Sequence, residues 1–559
     1  MAKKRVFLFL ILIMALASFF RLWEIKSIPP GFSYDESMYA NNAVEAWANT
    51  NFSAPGGPAL GWKIFYPENN GREGLWINML APVLAIFGEN EPWVSRTFAA
   101  IFGILTVLGL YFLTKALFKS ERLALLSSFF MAVSFWHINF SRIGFRAILT
   151  PFFLVWSFYF LWTAYEKGKL EAKSKRGAIV AATIGGLLFG LGFHTYISFR
   201  VAPLLLIIPF ILMWRNKQKK LILIFLFFTF IVALPIGLYF LENPQDFFGR
   251  SSQISIFASH PPTGGPALTF GFNIVKTVGM FFVWGDGNWR HNLSGAPELW
   301  WPVAILFLLG IIIGIKTLIR NFRPRADPPR AEKFKIQNSF ILLWLVALLI
   351  PTVISSEGLP HALRSIGVIP AAMILAALGL EWLIVKISEW LRKKMGQYPE
   401  KCEQLLRIKR ELFVLLIIFL LAVVSQTFNQ YFFRWAPNPN VANAFDESYT
   451  LLGKYLNTLP RNIPKYVIIN TESAGIGDNP HPPPAVMFIT DSYVPANRIK
   501  NNIFYINPAN LEELSREANQ KEHFFITMLE FNSDINIFLR NKIPDLKIDA
   551  SSGITVLYR

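Results

Sequence analysis

The chain has 559 residues, 53% of them apolar and only 16% charged, with a formal charge of +18. Soluble globular proteins carry about a quarter charged residues, so this composition excludes an ordinary soluble enzyme. The basic residues sit in short linkers between apolar runs, which argues for membrane topology and against a nucleic-acid partner. One cysteine, Cys402, excludes an intramolecular disulfide framework and a four-cysteine metal site.

In chain order, apolar runs approaching the roughly 20-residue length that crosses a bilayer lie at 6–22, 94–117, 122–140, 145–165, 177–194, 200–214, 219–241, 299–319, 337–356, 364–386 and 411–431. They predict eleven spans. The linkers test that count, because helices paired correctly leave Lys and Arg on one side. Lys3 to Arg5, Lys119 with Arg122, Lys167 to Arg176, Arg215 to Lys220, Arg320 to Lys335 and Arg392 to Arg410 all fall on the same side. The pattern predicts a multi-pass protein of a plasma or inner membrane, with a cytoplasmic N-terminus and an extracytoplasmic C-terminal segment. The basic start and Ala15-Leu16-Ala17 also fit a cleavable signal peptide, which leaves the sidedness of the next loop unchanged.

Two extracytoplasmic loops, 23–93 and 242–298, are too long to be simple connectors. The first contains Leu75 to Phe87, apolar but short for a span and interrupted by Pro82, hence an interfacial or re-entrant helix. After 431 the composition changes. Short β-type runs such as Tyr466 to Ile469 and Phe524 to Thr527 alternate with helix-like stretches near 441–458 and 509–520. The domain plan is therefore a transmembrane helical domain, 1–431, followed by a small soluble α/β domain, 432–559.

Chemistry-bearing residues gather in the extracytoplasmic linkers. Asp35 and Glu36 open the helix-compatible run that follows the first span. Acids there can simply complement the helix dipole; alternatively, Asp35 is a general base at the membrane face. Arg142 and Arg146 lie four apart beside the fourth span, and Arg200 stands at the start of the sixth. Such arginines can snorkel to headgroups or grip a lipid-linked phosphate with their fork of donors. His361 and Arg364, before the tenth span, are cations on the side where cations are least expected. The run Trp284-Gly285-Asp286-Gly287-Asn288-Trp289-Arg290-His291-Asn292 suits stacking on a sugar ring and bonding to its hydroxyls. Trp is also an ordinary interfacial anchor. The histidines form no helical pair at ligand spacing, so no metal site is read and no cofactor is assigned. Asp35 with Glu36 leaves a divalent ion open.

These residues in this order resemble the membrane glycosyltransferases of the C-type fold, nearest the family-39-like enzymes: protein O-mannosyltransferases and the bacterial lipid A aminoarabinose transferase. The similarity covers about residues 1–390. It rests on Tyr34-Asp35-Glu36-Ser37-Met38-Tyr39, Trp93-Val94-Ser95-Arg96-Thr97-Phe98, Ser141-Arg142, and His361-Ala362-Leu363-Arg364 followed by Pro370. The resemblance implies a polyprenyl-phosphate sugar donor, Asp35 as base with Glu36 beside it, and inversion at the anomeric carbon. It implies donor-phosphate contacts from Arg142, Arg146, Arg200, His361 and Arg364. Tyr39, Trp284, Asp286, Asn288, Arg290 and His291 are candidates for sugar or acceptor binding. The chain lacks an inserted lumenal domain between spans and carries 432–559 instead, which leaves a protein, lipid or glycan acceptor open. A transporter or flippase of an envelope substrate and a non-catalytic assembly subunit are the competing classes; mid-span charges and matching halves, expected of a transporter, are sparse.

Overall fold

The computed structural model describes residues 3–49, 61–68, 71–88, 90–170, 172–257, 265–319, 328–356, 358–471, 475–476, 479–480, 482–551 and 553–559. Ten helices among them are long and apolar enough to cross a membrane: Lys3–Leu22, Pro92–Phe118, Arg146–Gly168, Lys175–Gly192, Ile197–Arg215, Lys219–Glu242, Trp301–Ile319, Phe334–Val353, Ile366–Gln397 and Pro399–Trp435. An eleventh is a bent pair, Glu121–Ala132 and Phe135–Ser141, turned by 61° at the break. Counted as one broken span, this pair brings the ten to the eleven read from the sequence. Leu75–Phe87 forms the short apolar helix expected of it.

Hydropathy does not reveal the break, yet it is built with care. Breaking a helix frees carbonyls that hydrocarbon cannot satisfy. Here the Arg21 guanidinium donates to the carbonyls of Met131 at 3.2 Å and Ala132 at 3.0 Å, and also to Ala17 at 3.0 Å. Thr427 Oγ1 donates to the next carbonyl, Val133, at 2.7 Å. Ser134 then caps the second half by accepting from the His137 N–H. Two side chains from the first and last spans therefore hold the bend open. Elsewhere small residues set the packing. A side chain at Gly310 would strike the Leu375 backbone, and one at Gly379 the Leu306 carbonyl, so the spans starting at Trp301 and Ile366 touch through their main chains.

By contact density the described chain divides into two compact units. The first comprises Met1–Ile25, Ile64–Leu75 and Thr97–Pro437, and so holds nearly all of the membrane helices. The second comprises Lys26–Lys63, Trp76–Arg96 and Asn438–Arg559. Its centre is a five-stranded sheet in the order Ile503–Ile506, Lys465–Ile468, Phe525–Met528, Val556–Tyr558, Lys547–Asp549. The first three strands are parallel and the last two join antiparallel. Residues alternate between two cores, Tyr466 and Ile468 packing with Leu514, Phe524 and Leu539, and Val467 and Ile469 with Leu452, Leu456 and Val486. The α/β reading of the C-terminal segment holds.

Replacing Arg21 by Leu strips donors from three carbonyls in an apolar setting, at a cost of about 1–3 kcal/mol each. Arg21→Leu is expected to lower the apparent melting temperature of the detergent-solubilised protein and increase its aggregation, measured by static light scattering during heating.

Candidate active site

The helix Tyr34–Asn49 begins with a capping arrangement. Glu36, three residues past Ser33, accepts from the Ser33 N–H at 3.3 Å and from its hydroxyl at 2.9 Å. Arg96 completes the cage. Its Nε donates to Glu36 Oε1 at 3.1 Å, and its two terminal nitrogens donate to the Pro29 and Gly31 carbonyls, each at 2.6 Å. Arg96 is 1% exposed and Glu36 0%. Gly31 has φ +67°, and a Cβ there would run into the Phe445–Glu447 backbone, so the turn before the helix requires glycine. Asp35, next to this cage, remains half-buried in the first turn. Tyr39 is buried. The helix is seated on the C-terminal segment: Asn41 donates to the Pro484 carbonyl at 2.8 Å, and the Phe32 ring lies 5.2 Å from Phe488.

In the membrane unit, Asp286 gathers one cluster. Its Oδ2 accepts from the Ala362 N–H at 2.8 Å and pairs with His291 Nδ1 at 3.0 Å, with His361 Nδ1 at 3.7 Å. Its Oδ1 accepts from the Asn288 N–H at 2.8 Å, an Asx turn. The two imidazoles lie 5.0 Å apart, and one ligand atom from each of Asp286, His291 and His361 falls within 4.8 Å of the others. Two imidazoles and a carboxylate at that spacing are a donor set that can hold a transition-metal ion. The second half of the broken span supports both loops. Trp136 donates to the Ala362 carbonyl at 3.1 Å and Asn139 to the Arg290 carbonyl at 2.7 Å. Trp284 is exposed.

Burial pushes the Asp286 carboxyl up, but the His291 hydrogen bond and the charges of His291 and His361 more than reverse this and hold it below the usual range. Glu298 behaves oppositely. It is sealed from water, accepts from the Asp286 N–H at 3.0 Å and from the Asn292 amide at 3.2 Å, and burial plus the neighbouring Asp286 charge push its carboxyl well up.

The arginines fall into separate environments. Arg146 and Arg200 converge on Glu73, at 3.0 and 4.0 Å. Glu73 was not among the residues singled out from sequence. Arg142 is fully buried, donates to the Phe20 carbonyl at 3.0 Å and lies over the Tyr431 and Phe432 rings. Arg364 bonds the Ser355 hydroxyl. Glu357 lies outside the described residues. Among the residues that sequence reasoning missed, Arg96 had a signal, since it stands in the matched run Trp93 to Phe98. The His291–His361 pairing had none, because seventy residues separate its members.

Removing one member of a buried ion pair costs about 3–5 kcal/mol, because the other charge stays buried. Arg96→Met is expected to destabilise by that order, and the double variant with Glu36→Met to recover much of the loss, as read by thermal unfolding. For Glu298, the folded-state pKa lies above the ordinary 4.5, so the folded protein binds more protons than the unfolded chain and loses stability as pH rises past that value. Glu298→Gln keeps the acceptor without the ionisation. Its melting-temperature advantage over wild type is expected to widen between about pH 5 and about pH 8.

Residues 75–239 match the sequence profile of the dolichyl-phosphate-mannose-protein mannosyltransferase family. No curated protein matches in sequence. Among solved structures, ArnT from Cupriavidus metallidurans bound to undecaprenyl phosphate is similar over 100% of this chain and 98% of its own, at 13% identity and TM-score 0.56. The oligosaccharyltransferase AglB from Archaeoglobus fulgidus, in complex with an inhibitory peptide and a dolichol-phosphate, covers 92% of this chain and 71% of its own, at 14% identity and TM-score 0.50. The resemblance drawn from Tyr34–Tyr39 and the later runs is therefore borne out, and the chain has the C-type fold of the membrane glycosyltransferases.

Proposed function

We propose that this protein is an inverting glycosyltransferase that moves a sugar from a polyprenyl-phosphate carrier to an acceptor on the extracytoplasmic face of the membrane. Asp35 is the general base. The observation that carries this reading is the unequal treatment of two adjacent acids. Glu36 is buried against Arg96 and the Ser33 cap, whereas Asp35 is half-buried, reaching solvent from the first turn beside that rigid support. A base needs access to its proton donor and a fixed position, and a buried ion pair in the next residue supplies the second.

In the reaction, Asp35 takes the proton of an acceptor hydroxyl or amine as that atom attacks the anomeric carbon. The bond to the lipid phosphate breaks on the opposite face, so a single displacement inverts the centre. Negative charge grows on the departing phosphate, and fixed cations nearby stabilise it. Arg142, Arg146, Arg200, His361 and Arg364 are the candidates, with Glu36 positioning the base. Tyr39, Trp284, Asp286, Asn288, Arg290 and His291 remain candidates for sugar or acceptor contacts. The acceptor is a protein, lipid or glycan. A divalent ion, if one is used, would sit on Asp286, His291 and His361 and supply Lewis-acid or structural charge there.

Asp35→Asn keeps size and polarity but cannot accept the proton. It is expected to reduce sugar transfer from a radiolabelled polyprenyl-phosphate donor about 100-fold or more, with unchanged melting temperature. Wild-type rates in that variant would remove Asp35 from the mechanism.

A further inference from the structure

The spans Arg146–Gly168 and Lys175–Gly192 run side by side and touch closely part-way along. A Cβ on Gly185 would come within 3.2 Å of both the Leu161 nitrogen and the Ser157 carbonyl oxygen, and the Ser157 hydroxyl donates to the Gly185 carbonyl at 3.0 Å. Between that pinch and the basic linker that joins the helices, they part around a groove of about 440 Å³. Tyr159 and Ile184 stand at its inner end, and Lys167 and Arg176 at its mouth. Each wall therefore runs eight residues, about 12 Å, which is most of one leaflet of a hydrocarbon core about 30 Å thick. Phe160 and Val180 form apolar sides, and Val180 is 50% exposed, so the groove opens on lipid.

Among the described residues that line the groove, its mouth has two cations and no acid. The Lys167 ammonium lies 3.3 Å from where a Cβ on Gly177 would stand, so it reaches across to the helix that bears Arg176. Neither cation forms an ion pair with a described residue. Glu166, the acid next to Lys167 in sequence, faces Lys119 and Lys169, each at 3.7 Å. Residues 166–176 hold five basic residues against two acids, so the linker has positive charge to spare with Glu171 counted. Two like charges converging at the membrane surface repel one another until an anion enters between them. The apolar groove behind them offers nothing to a soluble anion, but it matches an acyl chain attached to one.

We propose that this groove binds an anionic glycerophospholipid, its phosphate between Lys167 and Arg176 and one acyl chain laid along Phe160 and Val180. The leaflet is that of the basic linkers, read as cytoplasmic. The site therefore lies at the far ends of these helices from Arg146 and His194, and it stands whatever reaction the other face performs. A zwitterionic headgroup brings its own ammonium to the mouth and gains less there.

The test is lipid binding by the full chain. Protein in detergent would be titrated with phosphatidylglycerol, phosphatidylcholine, glycerol phosphate and a polyprenyl phosphate, and bound molecules counted by native mass spectrometry. Wild type is expected to bind one phosphatidylglycerol about tenfold or more tightly than phosphatidylcholine. Lys167→Gln with Arg176→Gln is expected to abolish that preference, while Lys167→Arg with Arg176→Lys keeps it. Without added lipid all three proteins should melt alike. Phosphatidylglycerol should then raise the melting temperature of the wild type and the charge-conserving variant alone. A wild type that does not discriminate between the two phospholipids overturns the assignment, as does a double Gln variant that keeps the preference or a charge-conserving variant that loses it. Glycerol phosphate bound as tightly as phosphatidylglycerol would make this a soluble-anion site. Tighter binding of the polyprenyl phosphate through the same two cations would give the groove to an isoprenoid lipid. Either result also overturns the proposal.

Discussion

A guanidinium sealed from water against one carboxylate and two carbonyls is the constraint on which the candidate base depends. Ion pairs of this kind are poor sources of net stability, since both charges give up hydration to form them. Their value lies in geometry. Arg96 has donors in a fixed plane, and Glu36, Pro29 and Gly31 present acceptors that fit only one orientation of the turn. Once that turn is set, the first residues of Tyr34–Asn49 have no freedom to rotate, and Asp35 inherits its position from its neighbours.

The same economy governs the membrane unit. A bilayer forbids unsatisfied backbone, so a span can break only where side chains replace the lost hydrogen bonds. Arg21 and Thr427 do so, which frees Phe135–Ser141 to lean away from the first half of its span. That short helix then presents Trp136 and Asn139 to two loop carbonyls, steadying the Asp286, His291 and His361 group. A defect in one helix has become the foundation of a site.

The parts of this architecture dictated by solvent were legible in the sequence. Span number follows from the length that hydrocarbon imposes, and the continuous apolar run Tyr466 to Ile469 follows from a sheet covered on both faces. What was illegible depends on the third dimension. Asp35 and Glu36 look equivalent in sequence, and only the burial of Glu36 against Arg96 separates them. Glu73 stands in a loop without a motif, yet it is where Arg146 and Arg200 meet. His291 and His361 belong to different loops, and no spacing rule anticipates their approach.

The seating of Tyr34–Asn49 on Pro484 and Phe488 ties the beginning of the chain to its end. A ribosome delivers the segment bearing Asp35 and its Arg96 cage early, and the helix Pro484–Ile489 that seats Tyr34–Asn49 only about 390 residues later. For most of synthesis the acid therefore has its ion-pair cage but not the outer seat of its helix. The placing of Asp35 thus matures in two steps, set by the order of translation.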